Sequence, residues 1–426
     1  MTVPTITPLV PTEDDDIPTP RSWRTPTILA TLALAATALF LGIPRTQATT
    51  FRLSTDTDVI ALPDLVVPGS AAVVAAVLLL IGAGTSAVRA YRHRPTPLWV
   101  SVVFGVVLVN GFLIWAGSGA TLPLTGLLVG TLSVSVPLIY GSLSGVISER
   151  VGVVNVAIEA QFLAGAFSGA VAASLTGNLF AGLVAAMIAG MLVGAVLAVF
   201  SIRYVVDQVI VGIVLNVLVT GFTAFLFTQV LSPNAAALNS PPRFAALPIP
   251  FLADIPIIGP VLFQQTLIVY VMYVAVAVVW YALFHTTWGL RVRAVGEHPQ
   301  AADTVGIPVN RTRFRTVVLG GLVAGLGGSY FTLGSVGSFN IDMTAGAGFI
   351  ALAAVIFGRW DPIRSTLAAL LFGFASSLQY VLSIIGSPVP SELMLMLPYV
   401  VTIFAVAGLV GHVRGPAAAG KPYVTA

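Results

Sequence analysis

The sequence predicts an all-α polytopic membrane protein with about ten to twelve transmembrane helices, and three observations carry that prediction. Hydrophobic residues fill 57% of the 426 positions and charged residues only 8%, against about 25% charged in a soluble domain. Mean hydropathy is +0.99. Apolar runs long enough to cross a hydrocarbon core of about 30 Å recur along the chain. Cysteine is absent, which excludes disulfides and a thiolate metal site. His93, His285, His298 and His412 are far apart and show no HxxxH or HExxH spacing, so no metal centre is expected. The net charge of +3 is carried by arginines between apolar runs, with Lys421 the sole lysine. That is not the basic face of a nucleic-acid binder.

Taken in order, residues 1–25 are proline-rich and carry the acidic run Glu13-Asp14-Asp15-Asp16. They are expected to form a disordered cytoplasmic tail. Arg21 and Arg24 precede an apolar run from Thr27 to Ile43. The acidic tail and the long core favour a retained first span over a cleaved signal peptide. Further apolar runs lie at 67–88, 98–117, 123–147, 153–175, 179–202, 208–231, 259–284, 316–335, 345–358, 365–385 and 391–411. The run at 345–358 is short and reads as a half-helix packed inside the protein or a short span. The run at 153–175 opens on polar residues and reads as broken. Twelve is the working helix count. The expected organisation is the tail 1–25, extra N-terminal helices 26–120, a core 121–414 and a cytoplasmic tail 415–426.

Arginine sets the orientation. With the N-terminus inside, every basic residue among the 19 except Arg45, Arg52 and Arg243 falls on the inner side. Such a bias in short loops places those loops in the cytoplasm, together with both termini. The long outer loop at 232–258 carries Pro233, Pro241, Pro242, Pro248, Pro250 and Pro256. Loops of that length are functional or disordered. It reads either as a rim on which an external binding protein lands or as a passive cover.

The inner stretch His285–Arg315 is polar and arginine-dense. Pro299 suits a first helical position and Gly306 the residue just past the end. Between them Gln300, Asp303 and Thr304 share one face, and Ala302 and Val305 the other. So short a helix is unstable alone and must dock. It reads either as a docking element for a cytoplasmic partner or as a turn resting on lipid headgroups.

No GxxxxGK[ST] run exists, and no catalytic Ser/His/Asp or Cys/His set is plausible. The chain is expected to be non-catalytic, with no cofactor of its own. Polar groups within apolar runs are more informative. Glu159 lies four residues after Asn155, on the same helix face. A carboxylate at mid-membrane costs roughly 2.5–3.5 kcal/mol and should face protein or a wet cavity. Glu159 therefore reads as pathway-lining, or as the cap of a broken helix or a partner of Arg150. Asn216 and Gln379 read as inter-helix hydrogen bonders or ligand contacts. Gly320, Gly321, Gly325, Gly327 and Gly328 point to close helix packing rather than a phosphate cradle. The segments 147–172 and 344–374 are both interrupted and suggest inverted repeats with broken helices about a midplane pathway.

Three motifs, SERVGVVNVAIEAQFLAGAF, TTWGLRVRAVGEHPQAADTVGI and TAGAGFIALAAVIFGRWDP, resemble the permease subunits of bacterial ABC importers. The group is that of ribose and branched-chain amino acid permeases, in its nucleoside-type branch associated with basic membrane lipoproteins. The resemblance covers about residues 125–411. It implies a second permease subunit in a heterodimer, cytoplasmic ABC ATPases that hold ATP-Mg, an external substrate-binding lipoprotein, and a place in the plasma membrane. It implies coupling to the ATPase through Gly296, Glu297, His298, Pro299, Ala302, Asp303 and Gly306. It also implies a translocation route bordered by the segments Asn155–Gln161 and Thr344–Phe349. The route candidates are thus Asn155, Glu159, Gln161, Asn216, Thr344 and Phe349. His298 stands where the family often has asparagine, and Ala160 where it often has glycine. The expected function is import of nucleosides or related sugar-like solutes; the alternatives are an ion-coupled secondary transporter and a non-transporting scaffold.

Overall fold

In a computed structural model, residues 23–55, 60–387, 389, 396 and 415–424 are described. The acidic tail and, but for residue 396, the apolar run at 391–411 lie outside them.

Each remaining apolar run of the sequence becomes a helix. They are α1 (Arg24–Gly42), α2 (Ala71–Tyr91), α3 (Leu98–Ala116), α4 (Leu124–Arg150), α5 (Ile158–Thr176), α6 (Leu179–Ala198) and α7 (Gln208–Leu226). After a short α8 (Ala235–Leu238) come α9 (Leu267–His285), α10 (Thr287–Glu297), α11 (Pro299–Thr304), α12 (Val309–Ser329), α13 (Ala347–Phe357) and α14 (Pro362–Ile384). Among the described residues, ten helices are long and apolar enough to span a membrane, and α13 is not. α6, α7 and α12 run on through π-helical turns to Arg203, Leu231 and Val336.

Local chemistry places the starts. The Asp207 side chain accepts from the backbone N–H groups of Val209 and Ile210. Asn178 caps α6, Thr286 caps α10 and Asp361 caps α14. Each satisfies a donor that the first turn leaves orphaned. Two expectations need correction. The run at 259–284 is interrupted: after a π-helical turn at Gly259–Phe263, residues 264–266 pair with Ala246–Pro248 as an antiparallel ribbon, and α9 starts only at Leu267. The run at 316–335 starts early, at Val309, so Arg311, Arg313 and Arg315 ride the first turns of α12 rather than a loop.

The chain forms two compact units. In the first, residues 23–49 with Val67–Gly119, α3 meets its neighbours at Gly111, where a Cβ would stand 2.7 Å from the Ala75 Cβ. The Arg45 guanidinium lies over the Trp115 ring at 4.2 Å, and Trp115 donates to the Ile43 carbonyl. The second unit, residues 50–66 and 120–424, holds α4 to α14.

In that unit α5, α6 and α12 meet backbone to backbone. A Cβ at Gly325 would overlap the Ala186 carbonyl and stand 3.0 Å from the Gly190 Cα. One at Gly165 would stand 2.9 Å from the Gly325 Cα. The glycine run of α12 is therefore a packing seam. Without a hydrophobic drive between helices in lipid, such close approach is what supplies the attraction.

Candidate functional site

α4 ends at Arg150, and the chain turns at Gly152, whose φ of +93° suits glycine. Residues 151–157 then fold back along α4. The Asn155 amide donates to Ser144 Oγ at 3.2 Å, a level about 9 Å before the helix end. It also donates to Gln161 Oε1 at 3.1 Å. Asn155, Gln161 and Ser144 are fully buried and form one small polar network.

A non-helical stretch inside a membrane protein must find partners for its peptide groups within the protein. α7 supplies them. Gln208 Oε1 accepts from the Val154 N–H at 2.7 Å. Asn216 Oδ1 accepts from the Ala160 N–H at 2.9 Å, and its amide donates to the Val156 carbonyl at 2.9 Å. Asn216 is thus an inter-helix brace on the break. Replacing it with leucine strands one buried donor and one acceptor, each worth about 1–3 kcal/mol. Asn216→Leu is expected to unfold several degrees below wild type in detergent; an unchanged melting temperature would remove the brace.

α5 begins where this break ends, and Glu159 lies in its first turn. Glu159 is 5% exposed. Oε1 accepts from the Thr344 hydroxyl at 2.5 Å and the Gly346 N–H at 2.9 Å. Oε2 accepts from the Gly348 N–H at 2.6 Å. The two backbone donors, Gly346 and Gly348, form the N-terminus of α13, which has no side-chain cap of its own. Glu159 therefore caps α13 from another helix, 185 positions away, and its charge complements the helix dipole. Gly348 permits the approach, since a Cβ there would stand 2.7 Å from the Glu159 Cα. Arg150 is not the partner of Glu159; its Nε donates to the Trp360 carbonyl at 2.8 Å.

The two interruptions reach this junction from opposite ends of the second unit. The break at 151–157 lies beside the start of α12, for a Cβ on Gly152 would stand 2.9 Å from Arg313 Nη2. The other, 337–346, follows the far end of α12. Of the route candidates, the structure joins Asn155 with Gln161 and Glu159 with Thr344. Asn155 lies in the break before α5, so it does not share a helix face with Glu159 as expected. Asn216 ties Val156 in the break to Ala160 in the first turn of α5. Phe349 stands apart at 50% exposed. Sequence reasoning missed Ser144 and Gln208, and it named Gly346 and Gly348 only as part of the segment Thr344–Phe349. A serine spacing in α4 (Ser142, Ser144, Ser148) was the one available signal for the first.

At the arginine-bearing end, α10 and α11 form an elbow. α11 spans Pro299–Thr304 and ends with Gly306 at φ +82°. Pro299 and Ala302 are buried, while Glu297, His298, Asp303 and Gly306 are exposed. Gly296 seats against the Arg150 carbonyl so closely that a Cβ there would overlap it. Val305 departs from expectation: it does not join Ala302 on the buried face but is 74% exposed, because the helix ends before it. α10, which sequence reasoning did not foresee, buries Val292 and Val295. A cavity of about 640 Å³ lies at this end, lined by Arg203, Asn310, Phe314 and Tyr423 among others, and does not include Glu159.

Comparison with known proteins bears on what this arrangement serves. Residues 127–406 match the family described as branched-chain amino acid transport system / permease component. The chain is 39% identical over 308 residues to the guanosine ABC transporter permease protein NupQ of Bacillus subtilis, covering 69% of this chain and 95% of that one. It is 38% identical over 299 residues to the nucleoside ABC transporter permease protein NupC of Lactococcus lactis, covering 68% and 94%. It is 36% identical over 258 residues to the putative glucose ABC transporter permease protein TsgC13 of Haloferax volcanii, covering 60% and 77%. No solved structure matches.

Proposed function

Because this chain belongs to the branched-chain amino acid transport system permease-component family, we propose that it is the membrane-spanning permease subunit of an ATP-binding cassette importer for nucleosides or related sugar-like solutes. The observation that carries the solute class is the match across nearly the whole length of two permeases named for guanosine and for nucleosides. The match to a putative glucose permease keeps sugars within that class. The chain spans the plasma membrane many times with its arginine-rich connections inside, as the charge bias favours. It hydrolyses nothing itself. ATP-Mg binds partner ATPases, an external lipoprotein delivers solute, and a second permease subunit completes the route.

The α10–α11 elbow is the coupling element. Its exposed residues, Glu297, His298, Asp303 and Gly306, meet the ATPase, and its buried ones, Gly296, Pro299 and Ala302, seat it on the bundle. When ATP closes the ATPase pair, the elbow moves. Gly296 rests on the last carbonyl of α4, so the motion reaches the 151–157 break. Asn155 and Gln161 hold the break to α4, and Glu159 passes the motion to α13 through Thr344. Asn155, Gln161, Thr344 and Phe349 then border the route on alternate sides of one bistable junction.

The test is uptake of labelled guanosine into proteoliposomes holding the permeases, the ATPase and the lipoprotein. Uptake is expected only with ATP and the ATPase present. Uptake by the permease alone, driven by a proton or sodium gradient, would sink the proposal and restore the ion-coupled alternative. That alternative is not favoured, because three donors already occupy the Glu159 carboxylate.

A further inference from the structure

Residues 415–424 run as an irregular strap over the elbow. The Ala418 N–H donates to the Gly296 carbonyl at 2.9 Å, and the Ala417 N–H to Glu297 Oε2 at 3.2 Å. The Tyr423 hydroxyl donates to Asp303 Oδ2 at 2.8 Å. The strap is tied equally to the bundle. Arg313 Nη1, on α12, donates to the Lys421 carbonyl at 3.0 Å. A Cβ on Gly152 would stand 3.2 Å from the Ala418 carbonyl, and one on Gly415 would stand 2.9 Å from the Trp360 indole. One ten-residue segment therefore touches α10, α11, α12, the first residues of the 151–157 break and the turn before α14.

That connection matters because α11 is poorly anchored otherwise. A helix of six residues has no stability of its own, and it buries only Pro299 and Ala302. A push on its exposed face would rock it unless the helix were tied to the rest of the bundle. Tyr423 supplies that tie through Asp303. It is 8% exposed, and its bond to the Asp303 carboxylate keeps the phenol pKa above the ordinary value. Ordering a glycine-, alanine- and proline-rich segment costs backbone entropy at every residue. The hydrogen bonds and the buried Pro416, Ala418 and Tyr423 side chains offset that cost. Tyr423 and Val424 border the open cavity of about 640 Å³.

We propose that the 415–424 strap is a working part of the coupling machinery, with Tyr423 as its positioning residue. It ties α11 to Arg313 and to the break beside Gly152, so that displacement of the elbow moves the Asn155–Glu159 junction instead of dissipating within α11. The inference rests on the reading of the elbow as the ATPase-docking element.

The test uses the assembled transporter in proteoliposomes and reads ATP hydrolysed per solute moved. Tyr423→Phe removes one hydroxyl and is expected to raise that ratio roughly fivefold, the change that loss of one ordinary hydrogen bond carries. Tyr423→Ala and removal of residues 415–426 are expected to raise it further while ATP hydrolysis continues. A merely structural role would lower hydrolysis and transport in parallel and leave the ratio unchanged, which overturns the proposal. Size-exclusion profiles show which variants fold, and the single-hydroxyl change keeps the test valid if the deletion does not. The native chain lacks cysteine, so Val305→Cys reports docking directly by cross-linking to a cysteine on the ATPase. A wild-type ratio in Tyr423→Ala with that cross-link intact rejects the strap and keeps the docking reading. Absence of the cross-link in every nucleotide state rejects both.

Discussion

Glu159→Gln is expected to lose transport by more than tenfold and to unfold well below the wild type. The reason is local and countable. The carboxylate accepts from Thr344, Gly346 and Gly348, and a glutamine in the same place offers one acceptor oxygen and one donor amide. The amide must face an N–H, which leaves a buried donor unsatisfied at about 1–3 kcal/mol. The lost charge at the α13 N-terminus adds up to about 2 kcal/mol. A destabilisation of about 2–4 kcal/mol follows, concentrated where the two broken segments meet. Thr344→Val removes a single donor and should cost less. The check is thermal unfolding in detergent alongside ATP-driven uptake. A glutamine variant that folds, melts and transports like wild type would show that charge does not hold the junction. Normal melting with lost gradient-driven uptake would instead point to ion coupling at Glu159.

The second large effect is expected at the seam of α5, α6 and α12. Gly325→Val should prevent the protein from accumulating. Even the alanine change puts a methyl onto the Ala186 carbonyl and within 3.0 Å of the Gly190 Cα. Backbone cannot rotate aside as a side chain can, so the helices must separate. Overpacking of this kind costs about 1–3 kcal/mol for small additions, and valine adds more volume. Gly221 provides the control, since it also lies within a helix but has open space where its Cβ would go. Gly221→Ala is expected to express and melt as wild type. Similar yields for Gly325→Val and Gly221→Ala, measured by fluorescence-detected size exclusion, would contradict the seam.

How much of this was legible in the residues varies with the range of the interaction. Hydropathy placed the spans from α1 to α14, and it marked 345–358 as too short, because transfer into hydrocarbon is a sum over neighbouring residues. Arginine placement is the basis of the proposed orientation. Pro299 and Gly306 framed α11 because cap preferences act within one turn. Val305 defeated the face assignment, since a helix that stops at Thr304 no longer sets the direction of the next side chain. Pairing a carboxylate with Arg150 was a reasonable guess from charge, yet Arg150 bonds the Trp360 carbonyl instead.

Sequence by itself determined the class of the protein: a multi-pass helical bundle with two interrupted segments, a glycine seam and a mid-span carboxylate, Glu159, that needed a buried partner. Tertiary structure alone decided which groups answer that need. Glu159 meets Thr344, Gly346 and Gly348 across 185 or more positions, and Asp303 meets Tyr423 across 120. No local pattern records such a pairing, because a buried polar atom demands a partner of the right chemistry and leaves open where along the chain that partner lies.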